Sequence, residues 1–136
     1  MPNLYDLDVV ASVPYFNARG YIRRAVESLL AQTHRRLTVV VVCDGDPYPP
    51  WPELAHIQDP RLVRFSLARN YGPYFAHQVV LGASTDRYFL VQDSDDWSTP
   101  ARVSALLHAL DQAEIGSEDP VVGYRRRESY LDCRNQ

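Results

Sequence analysis

No lysine occurs in this chain of 136 residues, so all 14 basic side chains are arginines. That absence excludes a Schiff-base lysine, a lysine general base and the phosphate-binding lysine of a Walker-type loop. Cysteine is scarce as well. Cys43 and Cys133 are too few for a disulfide scaffold and have no metal-ligand spacing, which makes a reducing, cytoplasmic setting the expectation. Long apolar runs are missing: the longest, Leu37 to Cys43, contains Thr38 and falls far short of a bilayer span. The N-terminus has no basic stretch leading into an apolar core, so neither a membrane span nor a secretory signal is expected. With 17 acidic against 14 basic side chains the net charge is −3, which argues against a nucleic-acid-binding surface. What remains, 46% hydrophobic and 23% charged residues, is the balance of one globular domain over 1–136.

The apolar pattern alternates between the periods of strand and helix. Leu7 to Val13 is short, rich in valine and closed by Pro14, and reads as a first strand. Between Arg19 and Gln32 the apolar residues Ile22, Ala25, Val26, Leu29 and Leu30 form one helical stripe, with Asn17 ahead of it as an expected cap. Leu37 to Cys43 is nearly continuous in β-branched residues, as a strand covered on both faces requires. The prolines from Pro47 to Pro52 then forbid regular structure until a short helix near Glu53 to Ile57. Arg61 to Leu67 gives a third strand, Phe75 to Ala83 a helical stripe, and Arg87 to Gln92 a fourth strand. Pro100 opens a helix carrying Val103, Leu106, Leu107 and Leu110, and Val121 to Tyr124 begins a fifth strand. This order implies a three-layer α/β/α domain with a mostly parallel sheet.

In such sheets ligands lie beyond the carboxyl ends of the strands. The chemically suggestive residues fall there: Pro14 to Asn17, Asp44 to Asp46, Arg69 to Gly72, and Asp93 to Asp96. Three acids within four residues, Asp93, Asp95 and Asp96, repel one another, and a divalent cation is the simplest offset. Their hard oxygens suit Mg²⁺ or Mn²⁺. An acid at a helix start also acts as a cap, although one acid suffices for that. Asp44 stands where it would accept hydrogen bonds from a base or ribose, or would simply form a turn with Gly45. Asn70 and Gly72 carry the same two readings. His34, His56, His77 and His108 have no metal spacing and are expected at the surface or half-buried.

With those residues in place, the chain resembles the nucleotide-binding half of family 2 glycosyltransferases, which have the GT-A fold. Ser12 to Asp46 matches the opening strand, the Pro-x-x-Asn turn, the helix ending in Ser-Leu-Leu-x-Gln-Thr and the strand ending in Asp-Gly. Asp59 to Pro100 matches the following strand, the Asn-x-Gly turn and the Asp-x-Asp-Asp cluster with its later proline. The resemblance implies a nucleotide-diphosphate sugar donor and a Mg²⁺ or Mn²⁺ cofactor. It places Pro14, Tyr15 and Asn17 beside the nucleotide, Asp44 on the base, and Asn70 and Gly72 flanking the nucleoside. Asp93 and Asp95 would hold the metal, with Asp93 and Asp96 at the donor sugar. Three departures stand out: Cys43 replaces an acid and Asp46 adds one, Tyr15 replaces a small hydroxyl residue, and Gln78 stands where Asn is usual.

The family's acceptor-binding strands and catalytic base lie further along than this sequence reaches, and the late acids Glu128 and Asp132 sit in no recognisable pattern. The expectation is therefore a GT-A-like domain cut short, lacking most of the acceptor-binding part, with the catalytic base unassigned. Its function is metal-dependent sugar transfer to an acceptor hydroxyl, with inversion. The alternative is a non-catalytic module that holds a nucleotide or nucleotide sugar and needs a partner chain or a second copy to complete the site. A nucleotidyltransferase would bring a glycine-rich basic loop near the first strand, and Pro14 to Gly20 lacks one.

Overall fold

The computed structural model describes residues 3–86 and 88–115. A short 3₁₀ turn at Leu4–Asp6 leads into β1 (Val9–Tyr15), α1 (Ile22–Leu30), β2 (Leu37–Asp44), α2 (Trp51–Leu54), β3 (Leu62–Leu67), α3 (Pro73–Ala83), β4 (Tyr88–Val91) and α4 (Arg102–Ile115). The four strands form one parallel sheet in the order β3-β2-β1-β4. Parallel neighbours need a crossover between them, and the helices supply it.

Two apolar layers cover the sheet. On one face Ile22, Val26 and Leu29 of α1, Leu54 of α2, and Val103, Leu107 and Leu110 of α4 pack on Val9, Ala11, Val13, Val39 and Val41. On the other, Ala76 and Val80 of α3 pack on Val10, Val42 and Phe89. The continuous valine run of β2 follows from this, since both faces of a central strand lose water. β3 stands at one edge of the described sheet, and its Val63 and Phe65 remain exposed.

Boundaries differ from the sequence expectation by a few residues in most elements, and most informatively at β1, α1 and α2. β1 runs through Pro14 to Tyr15, with Pro14 registered opposite Val42. Proline is tolerated there because alternate residues of a parallel strand turn their backbone groups to the same neighbour. The Ser12 carbonyl accepts from the Gln92 amide on the β4 side, so Pro14 turns its missing N–H to the same side, beyond the last residue of β4, Val91. Asn17 is not the cap of α1: that position is Tyr21, which makes no side-chain cap, and the helix is confined to its apolar stripe, Ile22–Leu30, within the expected Arg19 to Gln32 segment. α2 begins two residues before Glu53, at Trp51, because Pro52 sits comfortably in a first helical turn. The expected fifth strand, Val121 to Tyr124, lies outside the described residues, as do Glu128 and Asp132.

Candidate active site at the carboxyl edge of the sheet

Parallel strands end on one edge, so the segments following β1, β2, β3 and β4 come together there. The exit of β1 is held by the exit of β2. Asn17, a non-glycine residue at φ 52°, donates its backbone N–H to Asp46 Oδ2 at 2.8 Å, and Asp46 Oδ1 accepts the Tyr48 N–H at 2.8 Å. Asp46 thus brackets two loops, a role that no local pattern announced, because its partner lies 29 residues away. Beside it a cleft of 300 Å³ is lined by Tyr15, Asn17, Arg19, Asp46 and Tyr48. The Arg19 guanidinium lies 5.1 Å above the Tyr48 ring, which fits a cation–π contact. Burial, then the charges of Asp46 and Glu53, push the Tyr15 phenol above its ordinary range, so it stays a hydrogen-bond donor.

Asp44 is buried, 2% exposed, and both of its carboxylate oxygens accept backbone amides: Tyr71 N–H and Gly72 N–H, each at 2.9 Å. Gly45 follows at φ 69°, and a Cβ on it would lie 2.1 Å from the Arg69 carbonyl carbon. The Asp-Gly pair is therefore more than a tight turn: it binds the backbone of the loop after β3. Asn70 and Gly72 are brought to the end of β2 in this way. In the same loop Tyr71 stacks on Phe75 with centroids 4.5 Å apart, and Arg69 stands 6.0 Å from the Tyr71 ring.

After β4 the carboxylate oxygens of Asp93, Asp95 and Asp96 lie within 4.8 Å of one another. Asp93 is half-buried and the other two are exposed. Oxygen donors this close suit a small hard cation, which attracts several carboxylates that would otherwise repel. Next to them Trp97 is exposed along one side while the Arg24 guanidinium lies 3.5 Å from its ring centre.

One histidine departs from expectation, and a second, half-buried as expected, has a partner that spacing did not show. His34 is fully buried, and its Nε2 hydrogen-bonds the Leu7 carbonyl oxygen at 2.8 Å, tying the start of β2 to the segment before β1. His77 of α3 reaches under the acidic loop: its Nδ1 is 2.8 Å from Ser12 Oγ on β1, and its ring meets Phe89 edge-on at 6.1 Å. Burial holds its pKa below the ordinary value, against the opposing charge of Asp93. Spacing could not reveal that pair, since 65 residues separate its members.

Comparison with known proteins identifies the family and the fold. The family model described as glycosyl transferase family 2 matches residues 11–135. Among curated proteins, the succinoglycan biosynthesis protein ExoO of Rhizobium meliloti is 39% identical over 108 residues, 78% of this chain and 30% of that protein. A UDP-Glc:α-D-GlcNAc-diphosphoundecaprenol β-1,3-glucosyltransferase, WfaP of Escherichia coli, is 26% identical over 102 residues, 74% of this chain and 40% of that protein. Among solved structures, residues 1–349 of S. aureus TarS superpose with a TM-score of 0.69 at 24% identity, covering 78% of this chain and 33% of that one. The mannosyltransferase PcManGT of Pyrobaculum calidifontis, in complex with GDP-Man and Mn²⁺, gives 0.68 at 18% identity, covering 85% and 34%. These structures share the GT-A fold, and this chain spans about a third of the length of ExoO and of the TarS 1–349 fragment. By sheet order, by the residues gathered at the carboxyl edge and by the family match over nearly its whole length, the chain belongs to glycosyltransferase family 2.

Proposed function

We propose that this chain forms the donor-binding part of a metal-dependent glycosyltransferase, which moves a sugar from a nucleotide-diphosphate sugar to an acceptor hydroxyl with inversion. The observation that carries the reading is the cluster of Asp93, Asp95 and Asp96, with carboxylate oxygens within 4.8 Å of one another. Support comes from the PcManGT complex, which contains GDP-Man and Mn²⁺, and from TarS complexes with UDP and UDP-GlcNAc.

In this reading Asp93 and Asp95 hold Mg²⁺ or Mn²⁺, and Asp96 orients the donor sugar. The bound cation supplies Lewis-acid stabilisation of the departing diphosphate. Pro14, Tyr15 and Asn17 wall the nucleotide. Asn70 and Gly72 flank the nucleoside, on a loop that Asp44 holds through two amides. An ionised carboxylate has about four acceptor sites, so Asp44 keeps lone pairs for a base N–H after binding both amides. The acceptor oxygen attacks the anomeric carbon as the bond to the diphosphate breaks on the opposite face, which inverts the centre, and the hydroxyl proton passes to a carboxylate base that is not among the residues assigned to this site.

Calorimetry with UDP and GDP, each with Mn²⁺ and with EDTA, tests the shared requirement. The expected result is nucleotide binding that tightens at least tenfold with Mn²⁺ and loses that gain in Asp95→Asn. Binding of neither nucleotide in either buffer refutes the reading. Transfer by this chain without any partner would exclude the alternative of a passive nucleotide-holding module.

A further inference from the structure

Under the acidic loop runs a buried polar network that the sugar-transfer chemistry does not itself call for. Gln92 and Ser98 are both buried and stand at the two ends of the segment carrying Asp93, Asp95 and Asp96. The Ser98 hydroxyl donates to Gln92 Oε1, closing the segment into a loop. Arg102, at the start of α4, reinforces the closure: its Nη1 donates to Gln92 Oε1 at 3.0 Å and to Ser98 Oγ at 2.7 Å, and its Nη2 to the Val91 carbonyl at 3.2 Å. Behind this, Gln92 Nε2 donates to the Ala25 carbonyl at 2.9 Å, and the Ser98 N–H donates to Ser28 Oγ at 2.9 Å. Gln32 completes the frame, with Nε2 donating to the Ser28 and Thr99 carbonyls and Oε1 accepting the Val103 N–H.

We infer that Arg102 is a positioning residue that clamps both ends of the acidic loop and thereby holds Asp93, Asp95 and Asp96 at ligand spacing. The inference rests on the proposed metal and diphosphate role of those acids. Three like charges on one loop push it open. A closure made of neutral hydrogen bonds alone would oppose that weakly, whereas a guanidinium adds charge-assisted bonds from a rigid fork. All three acceptors named for Arg102 are neutral oxygens, and its Nε finds no partner among the described residues. A lysine could satisfy one of the three oxygens well, but it lacks the planar fork that spans them.

Arg102→Met keeps much of the apolar stem and removes every donor; Arg102→Lys and Ser98→Ala weaken the clamp more gently and serve if the first variant does not fold. In metal-free buffer, hydrogen exchange at the Asp96 and Ser98 amides should speed at least tenfold in Arg102→Met, less in the other two, while β1 and β2 amides keep their protection. Unchanged exchange at those two amides overturns the inference whether or not any nucleotide binds. In calorimetry with UDP and GDP, Arg102→Met should weaken binding tenfold or more with Mn²⁺, the scale expected for groups that orient metal ligands. It should leave binding in EDTA and the binding stoichiometry unchanged, with partial rescue by Arg102→Lys. Equal losses with and without Mn²⁺, or a fall in stoichiometry alone, would mark Arg102 as an ordinary structural residue. Absence of Mn²⁺-dependent binding in the wild type counts instead against the proposed function, and the exchange measurement still decides the clamp.

Discussion

Gly20 and Gly45 share a backbone conformation but not a neighbourhood, so alanine at each separates strain from crowding. Their φ angles are 85° and 69°. A Cβ on Gly20 meets nothing within 4 Å, whereas one on Gly45 lies 2.1 Å from the Arg69 carbonyl carbon and 2.3 Å from the Asn70 nitrogen. For Gly20→Ala only the left-handed penalty applies, about 1–2 kcal/mol, partly offset by a less disordered unfolded chain. In Gly45→Ala the new carbon is roughly 1.5 Å short of an ordinary contact, and the obstacle is backbone that cannot rotate away. The loop after β3 must retreat, and with it the Tyr71 and Gly72 amides bound to Asp44. Hydrogen bonds to an ionised acceptor contribute about 1.5–3 kcal/mol each, so with the left-handed penalty the total reaches roughly 4–8 kcal/mol, a large part of the 5–15 kcal/mol typical of a domain. Urea denaturation followed by circular dichroism reads both variants. Gly45→Ala should fall below Gly20→Ala by at least ~3 kcal/mol, or about 10 °C in Tm at this chain length. Losses within ~1 kcal/mol of each other would refute the claim that the β2 exit and the β3 loop are packed backbone to backbone.

Asp44→Asn leaves one oxygen for two amides and turns an NH₂ toward an N–H, so it should cost about 2–3 kcal/mol in the same urea assay, even with no nucleotide present. His77 has a folded pKa depressed chiefly by burial, so the unfolded chain takes up its proton first: stability is full above about pH 6.5 and falls as the pH drops below it. Urea midpoints in metal-free buffer should show that slope between about pH 7 and 5, and His77→Asn should flatten it; an unchanged slope would mean that another group carries it. Burial, the largest influence, raises the Cys43 thiol pKa, so in a Cys133→Ser background a thiol reagent should label Cys43 only as fast as the chain unfolds.

Much of this protein was legible in one dimension. The valine-rich run of β2, the apolar stripe of α1 and the strand–helix alternation each follow from burial on one or two faces, and burial writes a period into the chain itself. The acids at 93–96 were equally visible, because their crowding within four residues is a property of the sequence itself. Tertiary structure alone decided which side chain answers which. Asp46 meets Asn17, Asp44 meets Tyr71 and Gly72, His77 meets Ser12, and Arg102 closes the acidic loop. Those first three pairings span 27 to 65 residues and depend on sheet order, on register and on where each strand stops. Hydrogen bonds require placement to a few tenths of an ångström, and periodicity constrains only which face a residue occupies.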